Sequence, residues 1–171
     1  MDPAVTAIPV RPRPGRRGVG LVVTGAKAKG GVAPSPCMWR LPHRAESVGT
    51  ARRIVDLVLH ECCEVDDDTL SSAELVVSEL VTNAIEHARP PVVLYVEAAS
   101  SVACGACSVH IEVTDGGPAA QDGEWTSSCT DDEHGRGSGI VDVLTSNHGT
   151  HPFGHGVTHW ADMPPGAEQA P

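Results

Sequence analysis

Lysine is missing from almost all of this chain: Lys27 and Lys29 are the only two, and both lie in the first 36 residues. Six of the twelve Lys and Arg fall in residues 1–36 against one acid, a local net charge of +5. The other six face 21 acids in residues 37–171, a net of -15. Affinity for phosphate backbones comes from clustered Lys and Arg, so a body this acidic is excluded as a surface for direct nucleic-acid binding. Long apolar runs are missing too. None approaches the ~18–20 residues that cross a bilayer, and the N-terminus lacks the apolar stretch of a signal peptide, so the chain is expected to be cytoplasmic and free of the membrane. The six cysteines, Cys37, Cys62, Cys63, Cys104, Cys107 and Cys129, lack the second C-x-x-C that a zinc site around Cys104 and Cys107 would need. With no sign of export they are expected to stay reduced, and the Cys104/Cys107 pair reads as a hairpin turn.

The length fits one domain with tails. Residues 1–36 are rich in Pro, Gly and Arg and are expected to lie outside the fold as a disordered basic tail, as are residues 164–171, which leaves 37–163 as the domain. Within the tail, GLVVTGAKAKG approaches a P-loop but has Ala26 and Ala28 around Lys27 where the motif needs Lys followed by Ser or Thr. From Trp39, WRLP reads as a short strand or lead-in. A first helix follows over about 46–62, with Val48, Ala51, Val55, Val58, Leu59 and Cys62 on its apolar face. Asp66, Asp67 and Asp68 suit the positive end of the next helix dipole, and Ser71 with Glu74 fits a capping box for a helix that stops before Pro90 and Pro91. VVLYVEA (92–98) and SVHIEVTD (108–115) alternate as the strands of a hairpin. Residues 116–137 are polar, glycine-containing and without period, a length typical of lids. A helix over 140–146 and a strand over 157–163 complete the pattern. His148, His151, His155 and His159 look like a ligand run, but Pro152, Gly154 and Gly156 preclude the helix that would align them on a metal.

Three polar clusters stand out from this pattern. In ELVVSELVTNAIEHA (74–88), at ~100° per residue, Glu79, Asn83 and Glu86 share one narrow stripe, opposite Ala73, Val77, Leu80, Val81 and Ala84. Asp115 ends a strand and precedes Gly116 and Gly117. HGRGSGIVDVL puts Gly135, Gly137 and Gly139 at the start of a helix, where the lack of Cβ lets backbone N–H groups approach phosphate oxygens. A strand-end carboxylate can accept a hydrogen bond from an exocyclic amine, and the Asn carboxamide oxygen suits a hard cation such as Mg²⁺. Together they describe a Mg-nucleotide site.

The order E-L-V-x-N-A-x-x-H-A, V-x-D-x-G, G-R-G-x-x-I-V-D-x-L and G-x-T-x-W resembles the GHKL ATPase superfamily. It is most similar to the anti-sigma factor branch of serine/threonine protein kinases, over about residues 39–163. The resemblance implies an α+β fold: a two-layer α/β sandwich of the Bergerat type, with a mixed, mostly antiparallel sheet and helices on one face. It implies ATP and Mg²⁺ as cofactors. Glu79 would be the base that orients or deprotonates the attacking group, and Asn83 the Mg²⁺ ligand. Asp115 would hold the adenine amino group, with Gly117 allowing the base to approach and Thr158 assisting through water. Gly135, Arg136, Gly137 and Gly139 would form the lid hinge and phosphate contacts. The implied activity is phosphorylation of an anti-anti-sigma partner by a kinase that binds a sigma factor, with a possible homodimer.

The chain departs from the family pattern in two places. His148 and Gly149 stand where relatives often have Trp and Gly, and Gly156-Val157-Thr158-His159-Trp160 stands where they often have G-K-T-V-W. With that lysine absent, Arg136 is the cation left in the motif region. The alternative is therefore a catalytically silent, ATP-gated protein-binding module. A histidine kinase output domain is disfavoured, since no dimerisation helix with a phospho-accepting histidine precedes residue 39.

Overall fold

A computed structural model describes residues 6–9, 37–100, 107–119 and 134–164. In chain order they form β1 (Thr6–Pro9), β2 (Cys37–Leu41), α1 (Glu46–Cys62), α2 (Asp67–His87), β3 (Val92–Ser100), β4 (Cys107–Thr114), α3 (His134–Leu144), β5 (Asn147–Phe153) and β6 (Gly156–Asp162). The strands make one sheet in the order β1-β2-β3-β4-β6-β5. This is the expected two-layer α+β sandwich, with one correction: every pairing among the described residues is antiparallel, so the sheet is not mixed. The reason is topological. The α1–α2 hairpin returns the chain to the end at which β2 finished, so β3 must run against β2, and β3–β4 and β5–β6 are hairpins.

Period-2 alternation on the central strands sets the layers. Val92, Leu94 and Val96 on β3 and Val109, Ile111 and Val113 on β4 are buried, and the register aligns Leu94 with Val113 and Val96 with Ile111. The helices bury Ala51, Ile54, Val55 and Leu59 from α1, and Ala73, Val76, Val77, Leu80, Val81 and Ala84 from α2, against this face. Each fully buried Val or Leu is stabilising by roughly 1.5–3 kcal/mol. Surface ion pairs such as Arg44–Glu46, at 3.8 Å, contribute about 0–1 kcal/mol, so the apolar layer dominates.

Local structure differs from the sequence expectation in five places. α2 begins a turn early because Asp66, extended at φ -79° and ψ 160°, caps it: Oδ1 accepts the Thr69 N–H at 2.7 Å and Oδ2 accepts the Thr69 hydroxyl at 2.8 Å. Ser71 is inside the helix, and the expected Ser71/Glu74 box is not its cap. α3 begins at His134 rather than 140 and ends at Leu144, where the Thr145 hydroxyl donates to the Val141 carbonyl. β5 was not expected, because an edge strand exposed on both faces leaves no alternation to read, and Pro152 is tolerated at an edge. Thr6–Pro9, inside the span expected to lie outside the fold, pairs with the free edge of β2 (Thr6 with Arg40, Pro9 with Cys37); residues 10–36 and 165–171 lie outside the described residues. Finally, Cys63 and Cys107 are disulfide-bonded rather than reduced, their Cα atoms 5.9 Å apart, so the C-terminus of α1 is stapled to the start of β4.

The sheet face away from the helices is polar, and His110 is its centre. Its side chain is 14% exposed, with Nδ1 2.5 Å from Asp162 Oδ1 and Nε2 3.0 Å from Glu112 Oε1. Trp160 stacks on it and Tyr95 meets it edge-on. Burial alone would lower the imidazole pKa, but the hydrogen bonds and charges of Glu112 and Asp162 outweigh burial and raise it above 6.5. A raised folded-state pKa means that this stabilisation is fully present below the unfolded value and is lost as pH rises through the folded value. The melting-temperature gap between wild type and His110→Gln should therefore be widest below about pH 6.5, the ordinary value of a histidine, and narrow as pH rises above it. Calorimetric melts across that range check it, and a gap independent of pH would show that the imidazolium is not the stabilising form.

Candidate functional site

The motif helix α2 brings its polar residues to the edge of its buried arc. Val76 is fully buried and lies next to Asn83 on the helical wheel, so Asn83 and Glu79 are half-buried while Glu86 is exposed. Among the described residues neither Glu79 nor Asn83 has a hydrogen-bond or ion-pair partner. Half-buried polar groups that remain uncommitted within the fold are available to a ligand.

Asp115 sits where β4 ends, in a corner tied to the C-terminal end of α2. The Arg89 N–H donates to the Gly117 carbonyl at 2.8 Å, the Gly116 N–H to the Arg89 carbonyl at 2.7 Å, and the Ala119 N–H to the His87 carbonyl at 3.1 Å. β6 closes the other side: the Asp115 N–H donates to the Val157 carbonyl at 2.9 Å. The carboxylate is 4% exposed. Its Oδ1 accepts the Gly117 N–H at 2.7 Å and the Val157 N–H at 3.4 Å. Oδ2 points the other way and lies 3.4 Å from His159 Nε2. Gly117 has φ +87°, a conformation that a side chain would strain, and a Cβ there would also lie 2.6 Å from the His155 carbonyl oxygen. The corner thus presents one oxygen of a buried carboxylate beside bare backbone.

The remaining expected site residues divide. Gly135, Arg136, Gly137 and Gly139 belong to the first turns of α3, a helix that packs against α2. A Cβ at Gly139 would meet only open space; the surroundings of the Arg136 side chain lie outside the described residues, as does most of the expected lid. Thr158 is fully buried, and its hydroxyl lies 2.8 Å from that of Thr114. The register pairs Thr114 with Thr158, and alternation puts both on the sheet side opposite Asp115. The residue that reaches Asp115 is His159, one position on. Sequence reading named His159 in a histidine run and in the departure from the G-K-T-V-W pattern but gave it no role; its occurrence in place of Val there was the available signal.

A family model described as a histidine kinase-like ATPase domain matches residues 41–153. The matched span includes Glu79, Asn83, Asp115, Gly117 and the Gly135–Gly139 segment, and stops before Thr158 and His159. A histidine kinase domain from Erythrobacter litoralis EL346 blue-light activated histidine kinase is similar at 23% identity with a TM-score of 0.36, over 70% of this chain and 60% of that one, so this chain spans less than two thirds of its length. No curated protein matches the sequence. Among the described residues, no helix is long and apolar enough to cross a membrane.

Proposed function

Because the chain belongs to the histidine kinase-like ATPase domain family, we propose that it binds Mg-ATP at this site and transfers the terminal phosphoryl group to a serine or threonine of a protein partner. The observation that carries the proposal is the Asp115 corner. A buried carboxylate with one oxygen held by backbone N–H groups and the other 3.4 Å from His159, without a hydrogen bond among the described residues, is fixed at the end of the helix that carries Glu79 and Asn83. Asp115 accepts the exocyclic amine of adenine, and Gly117 lets the base approach. The Asn83 carboxamide, uncommitted among the described residues, fits a hard cation that shares phosphate oxygens. Mg²⁺, when bound, offsets the negative charge of the phosphates. The N-terminal turn of α3 supplies N–H groups to phosphate oxygens, with Arg136 as the nearby cation. Glu79, one turn before Asn83, takes the proton of the acceptor hydroxyl.

The motif order supports the finer reading: an anti-sigma factor that acts in the cytoplasm, forms a homodimer, binds a sigma factor and phosphorylates an anti-anti-sigma protein. One observation favours a second reading, an ATP-gated binding module without turnover. The position of the lysine in G-K-T-V-W is taken by Val157, which removes a positive group from charge stabilisation.

Adenine recognition is tested at Asp115. Asp115→Asn keeps the size of the side chain and removes a charge-assisted hydrogen bond, a loss of about 1.5–3 kcal/mol, or roughly ten- to a hundredfold in affinity. Titration calorimetry should show that loss for ATP, with GTP binding far more weakly to the wild type. Equal affinity for ATP and GTP, unchanged by the substitution, would remove the adenine assignment.

A further inference from the structure

We propose that the Cys63–Cys107 bridge is a reversible thiol–disulfide switch, which a low-molecular-weight thiol opens from the Cys63 side and which recloses without unfolding of the domain. Both cysteines are held in place by contacts that do not depend on the bridge. At the end of α1 the Cys63 N–H donates to the Leu59 carbonyl at 2.9 Å, and Cys63 and Val65 pack against the apolar core. Cys107 is buried at the start of β4, in register with Ser100 of β3, and beside it the Ser108 hydroxyl donates to the Ala99 carbonyl at 3.2 Å. Helix, ladder and core therefore keep the two Cα atoms 5.9 Å apart, inside the span that a disulfide bridges.

The two ends of the bridge differ in access. Cys63 is half-buried, whereas Cys107 is 3% exposed. A thiolate attacks a disulfide at one sulfur and expels the other. The incoming thiolate bonds to Cys63 Sγ, the Cys63–Cys107 bond breaks, and its electron pair leaves on Cys107 Sγ. Burial disfavours a thiolate, so Cys107 takes up a proton, and the Ser108 carbonyl oxygen 3.9 Å away accepts from the thiol so formed. A second small thiolate attacks its fellow in the mixed disulfide and releases Cys63, which takes up a proton in turn. One protein disulfide is reduced to two thiols, two small thiols are oxidised to their disulfide, and the two protons they lose end on the cysteines.

Cys62, the free thiol next in sequence, does not compete. It is half-buried, and burial, with the charge of Glu61, pushes its pKa up, so it stays protonated near neutral pH. A protonated thiol is a poor nucleophile, so the bridge is not reshuffled from within, and its state follows the thiol–disulfide balance of the surroundings. What the switch sets is the order of one corner of the fold. When closed, it ties the end of α1, and with it the 63–66 connection that leads to the Asp66 cap of α2, to the central sheet. The cross-link spans a sequence separation of 44 residues, so closing it removes much of the freedom of the unfolded chain.

The test equilibrates the full chain in mixtures of reduced and oxidised glutathione, traps free thiols by alkylation without denaturant, and locates them by peptide mass spectrometry. In wild type, Cys63 and Cys107 should become free together as the mixture turns reducing and pair again when it is reversed, with the circular dichroism of a folded protein throughout. The reduced form should melt roughly 6–20 °C below the oxidised form. Cys63→Ser and Cys107→Ala should melt near reduced wild type and no longer respond to the mixture, while Cys62→Ser should respond as wild type does. Opening that occurs only with loss of the folded signal would make the bridge a permanent staple and overturn the switch. So would a bridge mapped to another pair, such as one with Cys62 or Cys104, or equal melting temperatures for the two forms.

Discussion

Glu79→Gln should slow phosphoryl transfer to a protein acceptor by about 10²- to 10⁴-fold while leaving Mg-ATP affinity within a factor of a few, because a positioned base contributes that much to rate and little to ground-state binding. The substitution keeps the length and shape of the side chain and removes its negative charge and its ability to take a proton. Glu79 is half-buried at the edge of the α2 core arc, with no partner among the described residues, so the change breaks no described contact. A structural cost is therefore not the expected outcome. The measurement is transfer of labelled phosphate to a cognate partner protein, alongside calorimetric affinity. An active wild type with a slow variant supports the kinase. Equal rates would make Glu79 a surface residue. If neither protein transfers phosphate while ATP still tightens partner binding, the gated module is the function, and the loss of the motif lysine to Val157 is its physical cause.

Gly156→Ala should be the most damaging small substitution in the described fold, costing roughly 3 kcal/mol, at the upper end of what overpacking usually costs. A Cβ at Gly156 would overlap the backbone carbonyl oxygen of Asp115, and a backbone atom cannot swing aside as the end of a side chain can. β4 and β6 would have to part at the place where the Asp115 N–H donates to the Val157 carbonyl and where Val157 N–H reaches Asp115 Oδ1. Two readouts should move together: the denaturant midpoint falls, and Mg-ATP affinity falls beyond what partial unfolding explains, because the displaced group carries the recognition carboxylate. Gly49→Ala on α1 is the control, since a Cβ there meets open space and the position lies outside the proposed site. Wild-type stability and affinity in Gly156→Ala would show that the strands do not approach each other this closely.

Much of the fold around the candidate site was legible because each motif is local. The apolar positions of α1 and α2 recur at the helical period, so the helix over 46–62 and the polar stripe of Glu79 and Asn83 follow from spacing alone. The alternation of 92–98 and 108–115 marks the central strands and their buried faces in the same way, and Asp115 at a strand end before two glycines needs no tertiary information. Caps were less secure. Asp66 and Ser71 both satisfy the capping chemistry, and only the extended backbone of Asp66 distinguishes them.

What the tertiary structure decided are the relations between distant segments. The pairing of β1 with β2, the edge position of β5 and the Cys63–Cys107 bridge across 44 residues have no local period to announce them. The same holds for the clamp of Glu112 and Asp162 on His110. The sharpest case is on β6. The family resemblance implies a role for Thr158; the register of β6 against β4 sets Thr158 beside Thr114, and it also brings His159 within 3.4 Å of Asp115, a neighbour that no local pattern announces. A side chain's face on its own strand is set by its neighbours in sequence, but which residue it meets is set by the alignment of backbone hydrogen bonds between strands. A shift of one residue in that alignment exchanges the two faces.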